Sequence, residues 1–215
     1  MGPARQARQR LDLMRRYECL ESLAPMLSDQ LVVTNVARTG FETHMAMPRE
    51  GNLYTMGMGL VTPVVLGLAL SLPHRGVIAL DGDGSILLNL GALTTVGNYA
   101  PANLICIIFD NESYASTGGL PTATANRTKL DEVARSAGIA NAFEIRTVEE
   151  FSETAARALA GNGPWVLVCK VKAEKPDVEP KLMDGRENKY RFVRYIEQTE
   201  GKTILKPSIV GRRDS

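Results

Sequence analysis

Two apolar runs limit the fold more than any other feature of this sequence. GVIALD (76–81) and NLICIIF (103–109) are short, nearly continuous in apolar residues, and show no polar alternation. Such runs suit strands buried on both faces, which belong to parallel sheets covered by helices. Between them Ile86, Leu87, Leu90, Leu93, Val96 and Tyr99 recur at helical steps and predict a helix over 86–99. Strand, helix and strand make one right-handed crossover, so both strands end at the same edge of the sheet.

The rest of the chain repeats this alternation. LVVTNV (31–36), AFEI (142–145) and WVLVCKV (165–171) read as strands. Residues 61–72 read as a buried helix with Pro63 in its first turn, 129–137 as a short helix closed by Gly138, and 148–160 as a further helix. The expected fold class is α/β, a parallel sheet with helices on both faces.

Three segments are expected: a helical extension over 1–30, the α/β domain over 31–172, and a charged tail or arm over 173–215. In the first, Leu13, Tyr17, Leu20, Ala24 and Leu27 fall at helical steps beside a basic face read as solvated. From Lys172 onward there are 11 Lys or Arg and 8 Asp or Glu with few core-like residues, which suits disorder or a path along a partner subunit.

Composition excludes several classes. Lys and Arg number 25 against 24 Asp and Glu, which gives no electrostatic reason for a nucleic-acid partner. Three cysteines without a CxxC argue against a disulfide framework, zinc or an iron–sulfur cluster, and Cys106 and Cys169 read as core residues. The basic N-terminus has no apolar h-region, and the run 61–72 is too short to span a bilayer, so no membrane association and a cytoplasmic location are expected.

The chemistry concentrates at the ends of the two strands. Gly82-Asp83-Gly84-Ser85 follows the first, and Asp110-Asn111 closes the second. If the strands are adjacent, about 5 Å apart, Asp83 and Asn111 reach one crevice at their carboxyl ends. The glycines allow close backbone approach, and the N-terminus of the helix that Ser85 precedes favours an anion. A carboxylate, an amide oxygen and a carbonyl are hard donors for Mg²⁺, leaving positions for diphosphate oxygens and water.

GDGS joined to DN across a complete crossover resembles the binding motif of thiamine-diphosphate enzymes, specifically their diphosphate-binding domain, over about residues 15–172. The resemblance implies Asp83, Asn111 and the Ser113 carbonyl as Mg²⁺ ligands, with Gly82, Gly84, Ser85 and Tyr114 around the diphosphate. YTMGMG (54–59) resembles the segment beneath the cofactor rings: Met58 would bend the cofactor, and the Met56 carbonyl, beside Gly57, would accept from its 4′-amino group. RTG (38–40) resembles a loop that touches the diphosphate through Thr39 and Gly40.

Within that family, DNESYASTGGLPTAT (110–124) resembles the decarboxylases of phosphonopyruvate and 3-sulfopyruvate, with Leu120 where they usually carry Gln. The implied activity is decarboxylation of a small-molecule 2-oxo acid. In the family a glutamate on a separate pyrimidine-binding domain promotes loss of the cofactor C2 proton, and no glutamate here has a matching context. A second domain needs roughly 150 further residues. The chain therefore looks like the β part of a split enzyme, a hetero-oligomer with a dimeric core whose pyrimidine-domain subunit is another chain. His44 is a candidate for the substrate pocket, Arg38 and Arg127 for an anionic substrate tail, and His74 reads as a surface residue. The competing readings are a carboligase resembling acetohydroxyacid synthase, a 2-oxoacid oxidoreductase subunit, and a non-catalytic cofactor-binding protein.

Overall fold

The computed structural model describes residues 13–174 and 184–205. Six parallel strands form one sheet: β1 (Leu31–Asn35), β2 (Asn52–Met56), β3 (Val77–Gly82), β4 (Leu104–Asp110), β5 (Asn141–Ile145) and β6 (Trp165–Lys170). Their order is β2-β1-β3-β4-β6-β5. β3 and β4 pair directly, from Val77 opposite Leu104 to Gly82 opposite Phe109, as the crossover predicts. The chain leaves β1 toward β2 and then crosses to β3 on the other side. The carboxyl ends of β1 and β3 therefore flank a topological switch point, where open α/β sheets form their crevices.

The helices are α1 (Arg16–Leu23), α2 (Arg38–Ala46), α3 (Val61–Ser71), α4 (Asp83–Leu88), α5 (Gly91–Tyr99), α6 (Leu130–Ser136), α7 (Val148–Ala160) and α8 (Gly185–Glu200). Strand alternation separates two cores. Val77 and Ala79 face one side with α3, α5, α6 and α8, while Ile78 and Leu80 face the other with α1 and α7. Cys106 and Cys169 are buried in these cores, as expected, and burial pushes the Cys106 thiol up to about 12. No helix among the described residues is long and apolar enough to cross a membrane.

Five expectations change. The helix over 86–99 is two helices, broken at Asn89, whose backbone leaves the helical region (φ −141°, ψ 53°) while its side-chain amide donates to the Gly59 carbonyl (2.9 Å). Residues 52–56 form an edge strand, and 38–40 are the first turn of α2 rather than a loop. The basic face of the N-terminal extension is not simply solvated: Arg16 forms a two-point ion pair with Glu42 (2.6 and 2.8 Å). Residues 1–12 of that extension lie outside the described residues.

The fifth change concerns the charged tail. Within it, 185–200 is a helix folded onto its own domain, with Phe192 and Ile196 buried in the core. The Asn188 side chain donates to the Tyr54 carbonyl (2.8 Å) and accepts from the Tyr54 N–H (3.3 Å), pairing with the edge strand as a neighbouring strand would. Arg191 adds bonds to the carbonyls of Arg49 and Asn52 (2.9 and 2.6 Å). The flanking stretches 175–183 and 206–215 lie outside the described residues. Phe192→Ala is expected to cost about 3 kcal/mol in denaturant unfolding, the usual scale for emptying a buried aromatic site. A loss below 1 kcal/mol would mean that α8 is not part of the folded core.

Candidate functional site

A cleft opens at the switch point. Its walls come from the ends of three neighbouring strands: Asn35 to Ala37 after β1, Gly82 to Ser85 after β3, and Phe109 with Asn111 after β4. Arg16, Arg38, Thr39, Met58 and the segment Ser113–Ser116 complete it. Asp83, Asn111, Ser113, Tyr114, Gly82, Gly84, Ser85, Thr39 and Met58 thus share one cleft. Met56 closes β2 and packs against the core, and Gly57 leads from it into the turn at Met58. Gly40 is buried in α2 next to Thr39.

The local backbone is unusual where the cleft needs it. Gly84 lies under the Tyr114 ring, and a Cβ there would sit 2.6 Å from Cε1 of that ring. Ala37 and Glu112 both have φ of +59°, a left-handed conformation that non-glycine residues rarely adopt. Such outliers persist only where surrounding contacts hold them. Glu112 turns the chain between Asn111 and Ser113, and the Ser113 N–H donates to Asn111 Oδ1 (3.0 Å). An amide oxygen has two lone pairs, so Asn111 keeps one for a further partner.

Asp83 is 3% exposed. Its Oδ2 accepts from Thr122 Oγ1 (2.6 Å) and lies 3.3 Å from Thr124 Oγ1. Thr124 also donates to Asp110 Oδ1 (2.8 Å), so one hydroxyl bridges two buried carboxylates. Burial, and then the nearby Asp110 charge, push the Asp83 carboxyl up to about 6. Asp81 is buried as well and rises to about 6, chiefly by desolvation. Of Asp81, Asp83 and Asp110, only Asp110 has a cationic partner among the described residues, Lys170 Nζ at 2.7 Å. Burial opposes the Lys170 ammonium, but Asp110 and Glu112 outweigh it and raise its pKa.

This charge balance tests whether a cation suits the site. Uncompensated carboxylate charge in a buried pocket is costly unless it is paired or metal-bound. A divalent cation at Asp83 would supply the missing charge, and Asn111 with the Ser113 carbonyl adds hard oxygen donors. The residues present therefore fit such an ion. Among the described residues no group of three or more His, Cys, Asp or Glu side chains is placed for a metal, so the donor set rests on one carboxylate, one amide oxygen and one backbone carbonyl.

Other candidates fall elsewhere. His44 does not line the cleft; on α2 it packs edge-on against Tyr54, ring centroids 5.2 Å apart. Arg127 lines a separate hollow with Leu90, Thr94 and Glu132, whereas Arg38 does reach the cleft. His74 is largely exposed and bonds Glu200 (2.8 Å). The Ser85 hydroxyl accepts from the Gly59 N–H (2.9 Å), so it ties the segment under Met58 to α4. Leu120 is 67% exposed.

Sequence reasoning missed Arg16, Asn35, Asp110, Thr122, Thr124 and Lys170. Asp110, next to Asn111, was the most legible of these. Lys170 ends an apolar strand, and the threonines lie in an aperiodic loop, so no local pattern marks them.

Comparison with known proteins bears on this cleft. A family model described as "Thiamine pyrophosphate enzyme, C-terminal TPP binding domain" matches residues 32–169. Sulfopyruvate decarboxylase subunit beta of Methanocaldococcus jannaschii is 35% identical over 176 residues, which is 79% of this chain and 90% of that protein. Phosphonopyruvate decarboxylase of Streptomyces viridochromogenes is 37% identical over 172 residues, 79% of this chain and 41% of that protein. In fold, the chain superposes on benzoylformate decarboxylase from Polynucleobacter necessarius with a TM-score of 0.66 at 21% identity, covering 76% of this chain and 34% of that one.

Proposed function

Because the chain belongs to the thiamine pyrophosphate enzymes, as their C-terminal TPP-binding domain, we propose that it is the diphosphate- and Mg²⁺-binding subunit of a two-chain 2-oxo acid decarboxylase with a 3-sulfopyruvate- or phosphonopyruvate-like substrate. The observation that carries this reading is the pairing of an all-oxygen donor set with a cleft that no glutamate lines among the described residues. The relative that the chain covers over 90% of its length is named a β subunit; of phosphonopyruvate decarboxylase it covers 41%. A subunit carrying the pyrimidine domain would supply the missing glutamate and complete a hetero-oligomer.

Asp83, Asn111 and the Ser113 carbonyl would hold Mg²⁺, and the backbone around Gly82, Gly84 and Ser85 would receive the diphosphate. Thr39 and Gly40, at the first turn of α2, and Tyr114 would bound its other side. Met58, with Met56 and Gly57 behind it, would support the rings. Bound thiamine diphosphate supplies the carbon nucleophile and electron sink through which a 2-oxo acid loses CO₂. Arg38, whose Nη1 bonds the Glu174 carbonyl (2.7 Å), and Arg16, paired with Glu42, are the cations that line the cleft wall, and of the two Arg38 keeps its charge for a sulfonate or phosphonate tail. His44 lies outside the cleft, so proton transfers to the substrate are assigned to the partner's groups.

The test is CO₂ release from 3-sulfopyruvate and phosphonopyruvate in the presence of Mg²⁺ and thiamine diphosphate. We expect none from this chain alone and turnover when a pyrimidine-domain subunit is added. Robust decarboxylation by the lone chain would overturn the split-site reading. Cofactor binding without turnover of any 2-oxo acid, with or without a partner, would favour a non-catalytic role.

A further inference from the structure

We propose that Lys170 is a positioning residue for the cation site: by gripping Asp110 and Glu112 on either side of Asn111, it fixes the loop that brings Asn111 and Ser113 to Asp83. This inference rests on the reading of those three residues as cation ligands. Lys170 is the last residue of β6, in register with Asp110 of β4. Its Nζ lies 2.7 Å from Asp110 Oδ2 and 3.1 Å from Glu112 Oε1. The residue between these two contacts in sequence is Asn111.

The grip falls where the backbone needs it. Glu112 holds the left-handed turn that reverses the chain between Asn111 and Ser113. An L residue keeps such a conformation only when its surroundings enforce it. Asp110 Oδ1 accepts from the Glu112 N–H (3.0 Å) at the start of the loop and from Thr124 Oγ1 (2.8 Å) at its end. The Thr122 N–H donates to the Glu112 carbonyl (3.2 Å), and the Thr122 hydroxyl reaches Asp83. Both ends of the loop therefore close on Asp110, and Asp110 is held by Lys170. Without the ammonium, the Asp110 and Glu112 carboxylates would face each other as like charges, which pushes them apart.

Lys170 does not line the cleft. It borders a second hollow with Glu112, Thr124, Asn126 and Arg146, so its effect on the site passes through the loop.

Mn²⁺ binding to the full chain, followed by electron paramagnetic resonance in the presence of thiamine diphosphate, tests this without any turnover. The double variant Lys170→Met with Asp110→Asn removes both buried charges and keeps an oxygen for Thr124 and the Glu112 N–H. We expect its melting temperature to stay within a few degrees of wild type while Mn²⁺ affinity falls at least tenfold. If the pair served only to balance buried charge, the neutral pair would restore the affinity too. Glu112→Ala alters a partly exposed side chain and decides the matter if the double variant does not fold; a several-fold loss is expected. Wild-type affinity in the folded double variant, or in Glu112→Ala, overturns the proposal. Loss of Mn²⁺ from Asp83→Ala, with the double variant unaffected, would remove only the role of Lys170. Absence of Mn²⁺ binding in the wild type would remove the cation-site reading itself.

Discussion

Asp83→Ala is expected to weaken Mg²⁺-dependent binding of thiamine diphosphate by at least about 100-fold, or roughly 2.8 kcal/mol. Asp83 is the one carboxylate among the three groups that would bind the cation, so its loss removes the only formal negative charge from that set. Asn111 and a backbone carbonyl are neutral donors and compensate poorly for a divalent ion. The stability of the cofactor-free chain should move differently. Asp83 is buried with hydroxyl partners and, among the described residues, no cation, and its charged form is disfavoured there. Removing it should leave the melting temperature of the cofactor-free chain unchanged or raise it. Isothermal titration calorimetry with and without Mg²⁺, beside thermal melts, separates the two effects. Unchanged cofactor affinity would mean that the cation does not sit at Asp83.

A stability change as large as that of Phe192→Ala is expected far from the cleft, in Gly97→Ala. Gly97 lies in α5 where it crosses the end of α6, and a Cβ there would come 1.8 Å from the Ala137 carbonyl oxygen. Alanine gains about 1 kcal/mol of helix propensity over glycine. A contact that close with backbone exceeds this gain, because two helices must separate and the packing around Leu93, Val96 and Ala134 opens with them. The expected net loss is about 3 kcal/mol, or a fall in Tm of about 6–12 °C for a chain of this size. Gly91→Ala, in the same helix, is the control: nothing lies within 4 Å of its added Cβ. It should be neutral or slightly stabilising. If Gly97→Ala melts like Gly91→Ala, α5 and α6 do not meet as described.

The part of the site that the sequence reveals is the part carried by one crossover. β3 and β4 are continuous apolar runs, so their pairing, and the meeting of Asp83 with Asn111, follow from periodicity and chain reversal. What supports those residues is not local. Lys170 meets Asp110 across 60 positions and Thr122 meets Asp83 across 39, through a loop with no period. Arg16 reaches the cleft only because Glu42 anchors it. β2 was hidden for another reason: NLYTM, with Asn and Thr among its apolar residues, shows neither a continuous apolar run nor strict alternation. α8 did leave a signal under its charges. Asn188, Phe192 and Ile196 recur every fourth residue, and these three are its buried positions.

That helix separates two meanings of the word domain. The family match ends at residue 169, yet the edge of the sheet is closed by side chains at 188 and 191. A chain cut just after β6, at residue 171, would keep Lys170 and every proposed cofactor contact and expose the backbone of β2, a template for strand-to-strand aggregation. The unit inherited with the chemistry is thus smaller than the unit able to stay in solution, and the difference is a helix that touches no ligand.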